Sequence, residues 1–303
     1  MTATPVAHRG AMKIRESNPI TVISIICITF FTLLCLFPFV LMVTSSFMSE
    51  SEIITEGYKL IPKTWSLEAY KYVFTNPTQP INAYKVTIII TVVGTGLGLL
   101  LMTMTGFVLN VKSFRYRSAV AFFFYFTTLF SGGLVPTYLL YVKYLGLKDS
   151  ILALIFPGML SSWSIFLMRN FMKSIPDALY ESATLDGAND FTIFWRIYVP
   201  LSGPALATVG LFAAIGYWNE WYNCMLYINN SQLFTLQYYL RTVVNKANLS
   251  DIINSGKVIN TADLPNQSIK MAVACLATGP ILLFYPFAQK YFVSGLTVGS
   301  VKG

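Results

Sequence analysis

The chain has 303 residues, of which 55% are hydrophobic and only 11% are charged, and its formal net charge is +8. Soluble domains carry about a quarter of their residues as charged side chains, so this composition excludes an ordinary soluble globule and indicates lipid as the solvent. An excess of basic residues on the inner side of the membrane and contact with anionic lipid explain the positive charge. No nucleic acid partner is expected, because no basic helix carries interleaved aromatic residues.

Six apolar windows are long enough to cross a bilayer as helices. Continuous apolar runs favour helices over barrel strands, in which apolar side chains would recur with a period of two. The predicted fold class is therefore all-α, a polytopic membrane protein with six transmembrane helices. Their predicted limits are about 20–46, 86–111, 118–142, 150–169, 202–227 and 271–290.

The distribution of basic residues predicts the orientation. With both termini inside, the interior segments hold 11 Lys and Arg residues and the exterior segments hold 10. Of the arginines alone, six lie inside and one lies outside. The short basic loop Lys112–Arg117 counts most under the positive-inside rule. We therefore expect cytoplasmic termini, with residues 1–19 as a cytoplasmic tail. The first apolar run has 24 residues, too long for a typical signal peptide, and reads as an uncleaved anchor.

Two features of the first 100 residues concern packing. The segment Phe47–Lys85 is rich in aromatic residues and proline and is too long for a plain linker. It is predicted to lie outside the membrane and to fold against the bundle or a partner. In the second span, Gly94 and Gly98 share one helix face, which permits close approach of another helix.

The third predicted span is interrupted by Ser131, Gly132 and Gly133. Glycine pairs weaken a helix, and the freed backbone groups must be met by protein or water. Broken helices near mid-membrane often line a transport path, but a simple kink has the same pattern, so both interpretations stay open. Ser131 and Gly132 are accordingly candidates for a solute path.

Residues 170–200, the acidic loop, are predicted to form two short helices on the cytoplasmic face. Ser174 is the expected cap of a helix over Asp177–Leu185, with Pro176 in its first turn and Gly187 in a left-handed conformation at its end. A second helix is expected over about 188–195. The small residues Ser182, Ala183 and Ala188 would let a partner approach, and Leu179, Leu185 and Phe191 would supply apolar contacts.

A helix that lies on lipid has a basic polar face. The acidic loop instead carries four carboxylates, which favours a protein partner over lipid. These carboxylates belong to Asp177, Glu181, Asp186 and Asp190.

This loop resembles the signature of the permease subunits of bacterial ATP-driven, binding-protein-dependent importers (ABC importers), E-A-A-x3-G-x9-I-x-L-P. Ser replaces the first Ala and Val replaces Leu. The positions that correspond to the motif, with these two departures and at the same spacing, are Glu181, Ser182, Ala183, Gly187, Ile197, Val199 and Pro200. The stretches 60–70 and 217–237 are similar to the carbohydrate-uptake branch, as in the second membrane subunit of the maltose system. Within that branch the chain looks like a permease for oligo- or polysaccharides such as the alginate importer's.

The resemblance implies a complex with a second six-span permease, two cytoplasmic ATPase subunits and a periplasmic or extracellular solute-binding protein, in a bacterial cytoplasmic (inner) membrane. ATP and Mg²⁺ would be bound by the ATPase subunits, so no cofactor and no enzymatic activity are expected in this chain. The coupling helix would lie between the fourth and fifth spans. The residues expected to meet the ATPase are Glu181, Ser182, Ala183, Leu185, Asp186, Gly187 and Pro200.

An aromatic and amide cluster at the end of the fifth span is the second candidate for a solute path. Aromatic faces stack on sugar rings, and amides bond to sugar hydroxyls. The cluster comprises Trp218, Asn219, Glu220, Trp221 and Asn223. An interfacial aromatic belt around a solvated acid is the alternative interpretation. If the solute is an acidic sugar, Glu220 would brace a basic residue rather than touch the ligand.

Enzymatic chemistry finds little support in the sequence. The one histidine, His8, lies in a polar tail, and the four cysteines have no C-x-x-C spacing, so neither a His-centred triad nor a metal site is expected. A stand-alone secondary transporter or channel would place ionisable relays inside the spans, and this chain has almost none. An ABC permease for a non-sugar solute is the remaining alternative.

Overall fold

The computed structural model describes residues 19–75, 77–254 and 267–282. Residues 1–18 and the part of the last predicted span beyond residue 282 lie outside them. The described chain is helical, with no strand other than the isolated bridge Met48–Trp65. Its helices, in chain order, are α1 (Pro19–Ser45), α2 (Glu50–Glu56), α3 (Glu68–Thr75), α4 (Thr78–Asn110), α5 (Arg117–Leu129), α6 (Leu134–Leu139), α7 (Leu152–Ile155), α8 (Ser162–Met172), α9 (Asp177–Leu185), α10 (Asp190–Ile193), α11 (Val199–Leu201), α12 (Gly203–Trp218), α13 (Tyr222–Tyr227), α14 (Leu236–Asn254) and α15 (Gln267–Leu282).

Two of these helices, α1 and α4, are long and apolar enough to cross a bilayer alone. Three bent pairs bring the number of possible crossings among the described residues to five, and α15 is a shorter apolar helix. The structure thus agrees with a polytopic helical membrane protein, while the count of six spans stays a prediction.

The bends occur where the sequence weakens the helix. Between α5 and α6 the axis turns by 115° at Ser131–Gly133, and Gly133 has a φ of +84°, which L side chains rarely adopt. Between α11 and α12 it turns by 83° next to Pro204. The interruption predicted in the third span is therefore a sharp turn rather than a gentle kink.

The fifth predicted span does not continue as one helix over 202–227. Helix α12 ends at Trp218, and α13 begins separately at Tyr222. The carboxylate of Glu220 accepts hydrogen bonds from the backbone N–H of Asn223 at 2.7 Å and from its Nδ2 at 2.7 Å. A side chain that satisfies the open N–H groups of a new helix favours a break at this point, and periodicity alone missed it.

Helix α4 is central, because α12 and α8 pack along it more extensively than any other helix pair. Its glycines allow this approach. The ring of Tyr217 on α12 lies against Gly94, and the Met159 carbonyl lies against Gly98. The Tyr217 hydroxyl donates to the Ile155 carbonyl at 2.7 Å. The close packing predicted for this glycine face is thus present within the chain.

The segment 47–85 folds against the bundle, as predicted. Ala69 and Val73 of α3 pack with Val243 of α14 and with α15. The Glu50 carboxylate accepts from the backbone N–H groups of Gln267 (3.0 Å) and Ser268 (2.9 Å), so it caps the start of α15. Helices that are far apart in sequence therefore meet at this end of the bundle.

Asp149 joins two turns at the same end of the bundle. It has a φ of +55°, and its Oδ1 accepts from the backbone N–H groups of Asn229 (2.5 Å) and Asn230 (2.8 Å). These bonds, with the one from Asn230 the stronger, lower the pKa of Asp149 below its ordinary value of 3.8. The stabilisation is therefore present above pH 3.8 and is lost as pH falls through the lowered pKa.

We expect Asp149→Leu to lower the melting temperature of the detergent-solubilised protein by a few degrees, because both backbone donors lose their acceptor and a branched side chain strains a positive φ. Asp149→Asn keeps an acceptor oxygen and tolerates this conformation, so it should retain most of the stability. Thermal unfolding of the two variants at pH 7 checks this, and equal losses would contradict it.

Candidate functional site

The first helix of the acidic loop is α9, which spans Asp177–Leu185 as predicted. Its cap differs from the prediction. The Ser174 hydroxyl donates to the Phe171 carbonyl at 2.6 Å and so closes α8, while Pro176 occupies the position before α9 without a side-chain bond. Proline at this position removes one of the open N–H groups at the start of the helix, and the N–H of Leu179 bonds to the Pro176 carbonyl at 3.1 Å.

Gly187 ends α9 in the predicted left-handed conformation, with a φ of +82°. The N–H of Gly187 bonds to the Thr184 carbonyl (3.0 Å), and the N–H of Ala188 bonds to the Ala183 carbonyl (2.9 Å). This pair of bonds is the Schellman motif, which satisfies the last carbonyls of a helix and reverses the chain. Gly187 therefore sets the angle between α9 and α10.

We expect Gly187→Ala to destabilise the turn by about 1 kcal/mol, because L residues other than glycine are strained at this φ. No described atom lies within 4 Å of an added Cβ, so the effect is one of conformation and not of crowding. Gly203→Ala is the matched control, since that Cβ is also uncrowded and the φ is not positive. Hydrogen exchange of the 182–192 amides should accelerate in the first variant only. Equal exchange in both would contradict the assignment.

Two further contacts fix the acidic loop. Asn189 caps α10 by accepting from the Thr192 N–H at 2.8 Å. The Tyr180 hydroxyl donates to Asp190 Oδ1 at 2.7 Å and joins α9 to α10, and this acceptor raises the pKa of Tyr180. The loop is thus braced internally, in addition to its packing on the bundle.

The loop is also attached to the turn that follows α4. Asp177 forms an ion pair with Lys112 at 2.5 Å. Both side chains are more than half exposed, so the pair is worth little energetically but defines where α9 begins relative to α4.

A π-helical turn, Phe194–Tyr198, links α10 to α11. Pro200 has no N–H and its ring crowds the carbonyl four residues earlier, which widens the helix at this point. The prediction placed Pro200 at the return of the chain to the membrane. The helix in fact continues through Pro200, and the 83° bend follows at Ser202.

The acidic loop has a buried side and an exposed side. Ala183 and Ala188 pack with Tyr180 against the core formed by Phe107 and Tyr198, so these two small residues support the loop from below. Both are only partly buried, so their contact with a partner stays a prediction. The exposed side carries acidic and apolar residues together, namely Leu179, Glu181, Ser182, Leu185, Asp186, Phe191 and Trp195.

A cavity of about 340 Å³ lies between α4, the turn before α8, and α12. Trp163 and Phe212 meet edge to face at its wall with ring centroids 5.3 Å apart. Hydroxyl, carboxylate and aromatic groups together form a lining suited to a sugar. They are contributed by Ser161, Trp163, Ser164, Phe212, Tyr217 and Glu220.

Of the residues predicted for a solute path, Glu220 lines this cavity. The Trp218 Nε1–H points instead towards the Ala277 carbonyl (3.4 Å), and Asn219 donates to its own helix at Ile215 (3.0 Å). Ser131 and Gly132 are exposed at the α5–α6 turn and are not among the residues that line the cavity. Trp221 stacks with the guanidinium of Arg241, and Asn223 donates a hydrogen bond to Glu220. Neither residue is among those that line the cavity.

Sequence reasoning missed Ser161, Trp163 and Ser164. Ser161 caps α8 by accepting from the Ser164 N–H at 3.4 Å. The helix is interrupted just before Ser161, and this interruption forms part of the cavity wall. The available signal was the pair Pro157–Gly158 followed by serines inside an apolar run, which indicates a broken helix. Within the described ranges, no group of three or more His, Cys, Asp and Glu side chains could hold a metal.

Comparisons with known proteins agree with this architecture. The model of the family described as binding-protein-dependent transport system inner membrane component matches residues 94–298. The polygalacturonan/rhamnogalacturonan transport system permease protein YtcP of Bacillus subtilis (strain 168) is 40% identical over 279 residues, which cover 90% of this chain and 94% of that protein.

Two other matches extend over nearly the whole chain. The arabinooligosaccharides transport system permease protein AraQ of Halalkalibacterium halodurans is 28% identical over 300 residues, covering 96% of this chain and 100% of that protein. A crystal structure of a bacterial ABC transporter involved in the import of the acidic polysaccharide alginate contains a chain with a TM-score of 0.78 and 26% identity. The match covers 94% of this chain and 100% of that one.

Proposed function

We propose that this chain is the permease subunit of an ATP-driven carbohydrate importer. The premise is that it belongs to the family of binding-protein-dependent transport system inner membrane components. Relatives over nearly its full length are named as permeases for polygalacturonan/rhamnogalacturonan and for arabinooligosaccharides. The solute is accordingly an oligo- or polysaccharide, and the chain itself catalyses no bond chemistry.

The acidic loop is proposed as the ATPase-binding element. The observation that carries this role is its exposed side, where Glu181 and Asp186 stand beside the apolar side chains of Leu185 and Phe191. Leu185 is 89% exposed, which is costly in water and is relieved when a partner covers the helix. The carboxylates would pair with basic residues of that partner. Gly187 and Pro200 would act indirectly, by shaping the loop.

The rigidity of the loop suits it to transmit force. Tyr180–Asp190, Lys112–Asp177 and the underside contacts of Ala183 connect α9 with α4 and α10. Movement of a partner on α9 would therefore be passed to the inner ends of α4 and α12. Allosteric transport of this type needs a coupling free energy between the nucleotide site and the solute site.

The cavity between α4, α8 and α12 is proposed as part of the solute path. A second six-span permease would complete the path, two ATPase subunits would drive it, and a solute-binding protein outside the membrane would deliver the sugar. The proposed location of the protein is the bacterial inner membrane, and the proposed topology has six spans and cytoplasmic termini. A stand-alone secondary transporter is the rival function.

The decisive experiment is purification of this chain from its host membrane in mild detergent, followed by mass spectrometry of the co-purifying subunits and transport by the complex in liposomes. The proposal expects a soluble ATPase, a second six-span permease, and oligosaccharide uptake that requires ATP. A chain that is stable alone and transports without ATP would establish the secondary transporter instead.

A further inference from the structure

Carboxylates at the end of the bundle formed by α2, α3, α13 and α14 are directed inwards. Five of the six acidic side chains described there have internal donors. Glu50 caps α15, and Asp149 and Glu220 hold backbone N–H groups of neighbouring turns. Glu52 accepts from the Lys63 and Thr64 N–H groups, and Glu56 pairs with Lys59 and Lys63. Glu68 is the exposed exception in this set.

Several cations at this end have no such partner. Among the residues that the structure describes, Lys71, Lys85, Lys143 and Arg241 are exposed and form no ion pair with a carboxylate. Hydrogen bonds from neutral N–H groups leave these carboxylates charged, but they hold them against the chain, whereas the four cations are exposed to the solvent. The potential close to these cations is therefore positive. Such a surface attracts anionic solutes and repels cationic ones.

Arg241 differs from the lysines in being held in place. Its guanidinium carbon lies 4.0 Å from the centroid of the Trp221 ring. The plane of a guanidinium that stacks on an aromatic face keeps its N–H edge available. No hydrogen bond from Arg241 to another described residue occurs, so its donors are unused within the described chain. The adjacent Tyr222 ring meets Trp221 edge to face at 5.7 Å and is 44% exposed.

We propose that the Arg241–Trp221 stack binds the carboxylate of a uronic-acid oligosaccharide as it enters the permease. The inference rests on the proposed importer function and names its substrate class as acidic sugars. A guanidinium can donate two parallel hydrogen bonds to one carboxylate, and the exposed Tyr222 ring offers a face for the pyranose C–H groups. Glu220 accepts two hydrogen bonds from Asn223, and its negative charge does not attract another carboxylate, so the proposal assigns the carboxylate of the sugar to Arg241.

The test uses the native complex with its binding protein, reconstituted in phosphatidylcholine liposomes, and two probes. These are trigalacturonate and its fully methyl-esterified, neutral form. Arg241→Gln is expected to reduce uptake of subsaturating trigalacturonate roughly tenfold, the loss typical of a charge-assisted bond. Uptake of the ester, and stimulation of the ATPase by loaded binding protein, should be unchanged. Arg241→Lys should recover part of the loss.

Lys71→Gln is the matched control, because it removes an exposed, unpaired cation from α3. Equal losses of trigalacturonate uptake in Arg241→Gln and Lys71→Gln would mean that only the overall positive potential matters. An equal loss of uptake for the neutral ester would mean that the Arg241–Trp221 stack has only a structural role. Either outcome overturns the proposal. A loss that appears only when phosphatidylglycerol is added would assign Arg241 to a lipid headgroup and overturn it as well.

The substrate class and the importer function fail in different ways. A wild-type complex that imports neutral oligosaccharides with ATP but excludes trigalacturonate refutes the carboxylate site and leaves the importer function intact. A chain without an ATPase partner and without ATP-dependent uptake of any sugar refutes both.

Discussion

Replacement of Glu181 by Arg is expected to reduce ATP-driven uptake to less than a tenth of the wild-type rate while the permease still accumulates in the membrane. Glu181 is exposed on α9, and the described chain gives its side chain no ion-pair partner, so the substitution disturbs no internal contact. If the carboxylate meets basic residues of the ATPase, reversal places like charges together. The cost of that is on the order of 2–5 kcal/mol.

The measurement is the amount of ATPase retained by the purified permease, together with uptake in liposomes. Glu68→Arg makes the same charge change on another exposed helix, α3, and should retain the wild-type amount of ATPase. Normal uptake by Glu181→Arg would remove the acidic loop from the coupling role. Loss of ATPase from both variants would point to a general effect of charge.

Local sequence signals predicted the acidic loop well because its structure is specified locally. Asp177–Leu185 forms the predicted helix, and Gly187 has the predicted positive φ. Both depend on interactions between residues at most six positions apart. The predicted helix cap was wrong because a serine hydroxyl can either accept from the start of the next helix or donate to the end of the previous one. Ser174 does the second and donates to the Phe171 carbonyl. Which side of the loop packs on the bundle could not be decided locally, so the packing of Ala183 and Ala188 against the core was not predicted.

Contacts distant in sequence explain the features that the prediction missed. The cavity requires α4, α8 and α12 to meet, and the break after Trp218 depends on the side chain of Glu220 bonding forwards to Asn223. Glu50 and Asp149 reach partners 218 and 81 positions away. In each case a carboxylate binds open backbone N–H groups, and hydropathy reports only that an acid is present. The apolar pattern therefore predicts helices, while polar side chains decide where they end and join.

Replacement of Gly94 by Ala is the most damaging small change expected in the bundle. An added Cβ would lie 2.4 Å from Cζ of the Tyr217 ring, which is closer than any real contact. The ring has little freedom to withdraw, because its hydroxyl is bonded to the Ile155 carbonyl and its hydroxyl end also lies against Gly158. Overpacking of this kind costs about 1–3 kcal/mol or more, and it would separate α4 from α12 beside the cavity.

Gly96→Ala is the matched control, since it lies two residues away on the same helix and an added Cβ meets no described atom within 4 Å. Thermal unfolding in detergent should show a large loss for Gly94→Ala and little change for Gly96→Ala. Adding Tyr217→Leu to Gly94→Ala removes the ring atoms that clash and should recover part of the loss, a coupling that a double-mutant cycle measures. Additive effects of the two substitutions would mean that α4 and α12 are not held together through this contact. The wall that Tyr217 gives the cavity would then need another explanation.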